Sequence, residues 1–193
     1  MMAWRREYKD IFVFVITLLA VNYLWKFSIT GDEGDTVVLL WGRWDITAPF
    51  DILAKHIAAV VYGLVECVRD TAYMVGGDTI RFASGSGTRI VWSCTAIKQS
   101  FIWLCLLLTT CGGWKAKTWY IPLGWLCIYL FNILRITLIT LLIEYHPTWF
   151  EFLHTYLFKY LFYGMLFALW LLFTEKIRPR HTEEQSAETP SAD

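Results

Sequence analysis

The sequence predicts an all-α integral membrane protein with about four transmembrane helices, an amphipathic extracytoplasmic helix and a small β-hairpin. Of its 193 residues, 56% are hydrophobic and 18% aromatic, and the mean hydropathy is +0.44. Several apolar runs reach the roughly 20 residues that a helix needs to cross a bilayer. Although the formal net charge is +0, basic residues gather beside particular apolar runs. A soluble domain of this size could not bury so much apolar surface in one core.

Four apolar runs are expected to span the membrane, at roughly residues 10–29, 94–111, 118–144 and 152–174. The first run follows a basic start, as in a signal peptide, but no small-x-small cleavage site follows it. Residues 1–29 are therefore predicted to be a retained anchor. Asn22 and Lys26 interrupt this run, and Lys26 is expected to extend its ammonium group to the membrane surface.

The distribution of basic residues predicts the orientation. They precede span one, fill the link between spans two and three, and follow span four, at Arg5, Arg6, Lys9, Lys115, Lys117, Lys176, Arg178 and Arg180. By the positive-inside rule, these segments and both termini are cytoplasmic, in the cytoplasmic (inner) membrane. Residues 30–93 and 145–151 are then extracytoplasmic, residues 94–174 form a three-helix membrane core, and residues 175–193 are predicted to be a disordered cytoplasmic tail.

Residues 46–68 are apolar enough to cross but carry a polar stripe. At about 100° per residue, the stripe falls within roughly 60° of the helix circumference, and it contains Asp51, Lys55, Tyr62, Glu66 and Arg69. Such a helix is expected to lie flat at the outer interface or to pack its stripe against the extracytoplasmic segment. A full crossing would invert everything downstream.

Residues 79–92 are predicted to form a β-hairpin, TIRFA and TRIVW joined by the turn-rich SGSG. Gly85 and Gly87 are expected to supply the positive φ angles of the turn.

Three reactive side chains are expected at one membrane depth near the outer surface. Cys94 opens span two, Arg135 lies about 25 Å along span three, and His154 begins span four. An arginine in an apolar helix should face the bundle interior, where Asn132 on the same face could brace it. The alternative is that Arg135 reaches outward to lipid phosphates.

These residue types together suit acyl transfer. A thiol at a helix N-terminus favours the thiolate, a histidine can accept its proton, and an arginine can stabilise an oxyanion. His146 is the alternative base, but its place in a loop before Pro147 is expected to be more solvated. His56 and His181 are expected to be surface residues. The five cysteines show no CxxC pair, so neither a disulfide framework nor a metal site is predicted.

The chain resembles the exosortase and archaeosortase family of membrane-embedded cysteine transpeptidases over roughly residues 75–174, as a compact variant. The resemblance is carried by Cys94, flanked by Ser93 and Thr95, by Asn132 and Arg135 in FNILRI, and by His154 in FLHTYLFKYLFYG. The family often has Ser-Gly after the cysteine, where this chain has Thr95 and Ala96.

The resemblance implies that Cys94 is the nucleophile and that Arg135 and His154 are its partners, with Asn132, Ser93 and Thr95 in supporting positions. It implies an enzyme that cleaves the C-terminal sorting signal of a membrane-anchored protein on the outer face and transfers the product to a lipid or glycoconjugate acceptor. Neither a cofactor nor a nucleic-acid partner is implied. Two alternatives stay open: a thiol redox protein that uses Cys67 and Cys94, and a non-catalytic membrane assembly component.

Overall fold

The computed structural model describes residues 2–31 and 37–177 and is mostly helical, with two small sheets. The helices are α1 (Met2–Ser28), α2 (Thr47–Glu66), α3 (Ile97–Thr109), α4 (Trp114–Tyr145) and α5 (Phe158–Leu172). π-helical turns at Phe152–Leu157 and Phe173–Ile177 extend α5 at both ends, and 3-10 turns lie at Trp92–Thr95 and Pro147–Trp149. Most of the predicted tail, residues 178–193, lies outside the described residues.

Four helical segments of the described chain are long and apolar enough to cross a membrane: Lys9–Ser28, Thr47–Glu66, Trp114–Tyr145 and Phe152–Ile177. Three of them match the predicted spans 10–29, 118–144 and 152–174. The span predicted over 94–111 is shorter than expected, because α3 has 13 residues, about 20 Å of helix, against a hydrocarbon core of about 30 Å. These features indicate a membrane protein, with α2 rather than α3 as the fourth helix of sufficient length.

Helix α2 is amphipathic, as predicted over 46–68. Four side chains of its polar stripe are bonded within the stripe, since Lys55 Nζ lies 2.7 Å from Asp51 Oδ2 and Tyr62 Oη donates to Glu66 Oε1 over 3.0 Å. Of these four side chains, Tyr62 also packs against the buried cluster that contains Ile80 and Phe82. Arg69 instead pairs with α4, its Nε 3.4 Å from Glu144 Oε2. The apolar face is buried, with Phe50, Ala54, Ile57, Ala58, Val61 and Val65.

Each sheet has three antiparallel strands in chain order. The first contains β1 (Ile29–Thr30), β2 (Leu39–Leu40) and β3 (Trp44–Asp45), and the second β4 (Ala72–Val75), β5 (Thr79–Phe82) and β6 (Gly87–Arg89). The predicted hairpin is confirmed as β5–β6. The other strands have two to four residues, too few to show an alternating pattern in the sequence.

The hairpin turn needs its two glycines for different reasons. Gly85 has φ 89°, as predicted, whereas Gly87 does not have a positive φ. A Cβ atom on Gly87 would lie 2.6 Å from the carbonyl oxygen of Ile80 in β5. The expectation of a positive φ at Gly87 is therefore wrong, and close approach of the two strands explains this glycine.

The apolar core has two main clusters arranged along α4. The first joins α1, α3 and α5 to the first half of α4, through buried residues that include Phe14, Trp103, Leu106, Tyr120, Ile128 and Leu166. The second joins α2 and the β4–β6 sheet to the second half of α4, and includes Ile57, Val61, Ile80, Phe82, Ile133 and Ile136. Because α4 belongs to both clusters, it holds α1, α3 and α5 on one side of the boundary between them and α2 and the β4–β6 sheet on the other.

Helices α3 and α4 are antiparallel. Lys117 Nζ, near the start of α4, donates to the Leu108 carbonyl at the end of α3 over 3.3 Å, and Trp125 Nε1 donates to the Ser100 carbonyl over 3.1 Å. Lys117, predicted to lie in the short link between spans two and three, belongs to α4 and is only 5% exposed. Its ammonium group satisfies one of the last carbonyls of α3, where a positive charge is favourable.

Candidate active site

Cys94 lies on the 3-10 turn Trp92–Thr95, called here the thiol turn. The Thr95 hydroxyl donates to the Trp92 carbonyl over 2.6 Å, and the Cys94 N–H donates to the Val91 carbonyl over 2.9 Å. Ala96 then adopts the left-handed conformation, with φ 58° and ψ 16°, and α3 begins at Ile97. Cys94 therefore precedes the N-cap of α3 by two residues, and the expectation that it opens the helix is wrong.

Asn132 of α4 holds the thiol turn from the other side. Its Nδ2 donates to the Cys94 carbonyl over 2.7 Å, and the residue is only 1% exposed. The sequence suggested that Asn132 braces Arg135 through i, i+3 contact. Its observed role is to fix the backbone of the candidate nucleophile, so the thiol turn is anchored to α4 as well as to its own chain.

Arg135 faces the interior of the protein, as predicted, and is 8% exposed. It follows Trp114, the first residue of α4, by 21 residues (135 − 114), which is about 32 Å of helix. That distance is close to the thickness of the hydrocarbon core. Because the Arg135 side chain is buried, the structure does not support the alternative that its guanidinium reaches outward to lipid phosphates.

His154 lies in the π-helical turn Phe152–Leu157, and its ring stacks on Phe150 with centroids 5.2 Å apart. Single π-helical turns frequently occur at functional sites. His146, the alternative base, is exposed and stacks on Trp149 at the end of α4. His146 is thus the more exposed of the two rings, which agrees with the preference for His154 that the sequence indicated.

The two remaining histidines lie away from the thiol turn or beyond the described residues. His56 is exposed, as predicted, and forms a hydrogen bond of 3.0 Å with the Tyr129 hydroxyl of α4. His181 lies outside the described residues.

A cavity of about 670 Å³ brings the predicted catalytic residues together. Cys94, Arg135 and His154 all line it, and we call it the thiol cavity. One side is formed by residues 87–91, which run directly into the thiol turn. The other contributors are Ser93, Ile136, Ile139, Ile143, Phe150 and Glu151.

A second cavity of about 570 Å³ reaches the same residues from the side of α1 and α5. It shares Ser93, Arg135 and His154 with the thiol cavity and also contains three lysines, so we call it the lysine cavity. Lys26, Lys98 and Lys159 come from α1, α3 and α5. The two cavities therefore meet at Arg135 and His154.

Several of the lining residues were not predicted from the sequence. Lys98 and Lys159 each stand alone within an apolar helix, in TAIKQSF and LFKYLF, and such isolated charges are unusual enough to mark a polar site. Arg89, Phe150 and Glu151 carry no comparable signal, because they reach the thiol cavity only through the hairpin and the turn before α5.

Arg89, at the edge of the thiol cavity, is fixed by an ion pair. Its Nε lies 2.9 Å from Asp78 Oδ2. Burial alone would raise the pKa of Asp78, but hydrogen bonds from Thr79 and Arg89, together with the charge of Arg89, lower that pKa below its ordinary value. Asp78 is therefore ionised at neutral pH and holds the end of β6 in place.

Within the described residues, no three His, Cys, Asp or Glu side chains converge on a point that would hold a metal ion. What the site offers is a thiol, an imidazole and a guanidinium around one cavity, with a second polar cavity behind them. In comparisons with known proteins, no protein-family model, no curated protein and no solved structure matches this chain.

Proposed function

We propose that this protein is a membrane-embedded cysteine transpeptidase that cleaves C-terminal sorting signals of exported proteins at the outer membrane boundary. The observation that carries the proposal is that Cys94, Arg135 and His154, far apart in sequence, line one cavity. Asn132 supports it further by fixing the Cys94 backbone. A nucleophile, a base and a buried cation around one space are the groups that acyl transfer requires.

In the first step, Cys94 Sγ attacks the scissile carbonyl while His154 accepts the thiol proton. The Sγ–C bond forms, the C–N bond breaks, and His154 returns the proton to the leaving amine. Arg135 stabilises the oxyanion of the tetrahedral intermediate. In the second step the nucleophilic group of an acceptor attacks the thioester, its proton passes to His154, and the Sγ–C bond breaks to regenerate the thiol.

The location of the site suits a substrate that carries its own membrane helix. Such a substrate reaches the enzyme at a fixed depth, so much of the entropic cost of positioning is met before chemistry begins. The thiol cavity would hold the peptide. The lysine cavity, which meets it at Arg135 and His154, would admit a lipid or glycoconjugate acceptor.

The proposed orientation has both termini in the cytoplasm and α2 outside the membrane. The packing of α2 against the β4–β6 sheet supports this placement, because open sheet edges are not found in the hydrocarbon region. Residues 94–108 run beside residues 117–132 of α4, as the bonds Asn132 to Cys94 and Lys117 to Leu108 define. That stretch of α4 is about 22 Å long, a length that supports the proposed position of the thiol turn near the end of the bilayer opposite Lys117.

The proposal is tested by searching for an acyl-enzyme. Protein purified from cells that export proteins with C-terminal sorting signals is analysed by intact mass spectrometry, before and after hydroxylamine. We expect a hydroxylamine-labile adduct on the wild type and on Cys105→Ser, a matched control on α3 outside both cavities, and none on Cys94→Ser. Cells with Cys94→Ala that still process exported C-termini at the normal rate would refute the proposal.

The orientation has its own test, with a membrane-impermeant thiol reagent on sealed, oriented vesicles. Labelling from outside that is lost in Cys94→Ser supports the proposed topology. Labelling only after the cytoplasmic side is opened contradicts it.

The redox alternative gains no support from the structure. All five cysteines, each within the described residues, are free thiols. Cys67, the expected resolving partner, is exposed at the end of α2 and is not among the residues that line either cavity.

A further inference from the structure

We infer that the peptide segment of the substrate binds as an added β-strand along the open edge of β6. This inference rests on the proposed function and specifies how that site recognises its substrate. The second sheet has the order β4-β5-β6, so β6 is an edge strand. An edge strand with unpaired backbone groups is a ready template for an extended peptide, and several peptide-binding domains use it in this way.

The backbone groups of β6 alternate between the two sides of the strand. The Ile90 N–H donates to the Asp78 carbonyl over 2.8 Å, and the Phe82 N–H donates to the Ser86 carbonyl over 2.9 Å. With the pairing of Ile80 and Thr88, these bonds show that the even-numbered residues face β5. In an antiparallel ladder the odd-numbered residues then face away from β5.

The outward-facing residues are Gly87, Arg89 and Val91. Among the described residues, none forms a hydrogen bond to the backbone N–H of any of these three. All three line the thiol cavity. The open edge of β6 therefore faces the space that contains the candidate nucleophile.

The edge leads directly to Cys94. Residues 87–91 line the thiol cavity without a gap, and the Val91 carbonyl accepts the hydrogen bond from the Cys94 N–H that begins the thiol turn. A peptide paired along this edge is about 17 Å long at about 3.3 Å per residue. The recognised segment is therefore about five residues in extended conformation, with its scissile carbonyl beside Cys94.

The walls of the cavity indicate which side chains the peptide should carry. Ile136, Ile139 and Ile143 form an apolar wall from α4. Since successive side chains of a strand point to opposite faces, only alternate residues of the peptide would contact that wall. Small or branched apolar residues at alternate positions are expected to bind best.

The main experiment measures covalent modification of Cys94 by a peptide reagent, acetyl-Val-Ala-Val-Ala chloromethyl ketone, with intact mass spectrometry as the readout. A series of reagents carries one N-methyl group at each amide in turn. We expect the rate to fall roughly fivefold wherever a methyl group removes a hydrogen bond to β6, since a net hydrogen bond contributes about 1 kcal/mol. The slow positions should alternate with unaffected ones, and a flat series would overturn the inference.

A matched pair of variants tests the edge from the protein side. Arg89→Pro removes the outward-facing N–H of β6, and proline is tolerated where an edge N–H points away from the sheet. Arg89→Ala loses the same side chain and the same ion pair but keeps the N–H. We expect the peptide reagent to react roughly fivefold more slowly with Arg89→Pro than with Arg89→Ala, while iodoacetamide reacts equally with both; equal peptide rates would contradict the inference.

A measurement without the thiol separates this inference from the proposed function. In the Cys94→Ala protein, acetyl-Val-Ala-Val-Ala amide should slow hydrogen exchange at the amides of residues 87–91. If these amides are protected from exchange but cells with Cys94→Ala process exported proteins normally, the proposed chemistry is refuted and the edge-binding mode is still supported. An acyl-enzyme on Cys94 without protection of β6 would refute only the edge-binding mode.

Discussion

Replacing Ala96 by glycine should leave stability nearly unchanged, although a buried alanine is normally expensive to replace. Ala96 is buried and has φ 58°, a conformation that costs an L-residue roughly 1–2 kcal/mol. Glycine relieves that strain. Against it stand about 0.8 kcal/mol for the lost methyl group and about 0.4–1 kcal/mol for the greater freedom of glycine in the unfolded chain. The opposing contributions nearly cancel, so the free energy of unfolding should change by less than about 1 kcal/mol.

Ala58→Gly is the matched control. Ala58 is fully buried in the middle of α2 with helical geometry, so no strain is relieved. The loss of helix propensity, about 0.5–1 kcal/mol, adds to the loss of the methyl group, for a total of roughly 1.5 kcal/mol. Both variants are unfolded by titrating SDS into mild detergent micelles, with tryptophan fluorescence as the signal. If Ala96→Gly is destabilised as much as Ala58→Gly, position 96 carries no left-handed strain and the description of the thiol turn is wrong.

Three further outcomes are expected. Gly124→Ala should destabilise the protein by about 1–3 kcal/mol in the same SDS titration, because its Cβ would overlap the indole of Trp103. Gly164→Ala is the control and should not destabilise, because its Cβ meets nothing within 4 Å. An equal loss of stability in both variants would contradict the close packing of Gly124 on Trp103. Asn132→Leu should destabilise by about 1–3 kcal/mol and alter iodoacetamide reactivity in the thiol turn, because the partly buried Cys94 carbonyl loses its donor. Unchanged reactivity would show that this hydrogen bond does not position the thiol. The lowered pKa of Asp78 contributes stability that is present above its unfolded-state pKa of about 3.9 and is lost as the pH falls through the lower folded value. The difference in the free energy of unfolding between wild type and Asp78→Asn, up to about 1 kcal/mol at pH 7 for a partly exposed pair, should therefore shrink steadily as the pH is lowered below about 3.9. A difference that stays constant with pH would contradict the ion pair.

Long helices and the hairpin could be predicted from the sequence because their signals are local. Apolar length identified α1, α4 and α5, and the SGSG turn between two short β-prone runs identified β5–β6. The start of α3 could not be predicted, because the apolar run begins before Cys94 whereas the left-handed Ala96 delays the first helical residue to Ile97. A single backbone angle decided that boundary, and no hydropathy window detects it.

The meeting of Cys94, Arg135 and His154 at one cavity could be predicted from the sequence, but the other lining residues and most of the contacts could not. Helix rise alone placed Arg135 at the depth of Cys94, and both line one cavity. The partner of Asn132 was not predictable in the same way, because a helical position indicates neighbours at i+3 and i+4 and says nothing about a carbonyl 38 residues away. Contacts between elements depend on how α3 packs on α4, which requires the assembled fold.

The position of the polar residues gives a reason for the long α4. Asn132 and Arg135 are buried where the cluster with α1, α3 and α5 ends and the cluster with the β4–β6 sheet begins. Buried polar groups in such a helix are destabilising unless bonded, so stability alone would favour apolar residues there. A helix that ended just after Arg135 could carry these two residues but could not support the sheet whose edge leads to Cys94. By continuing about 20 Å beyond Asn132, α4 holds the buried cation, the thiol turn and β6 in one rigid frame.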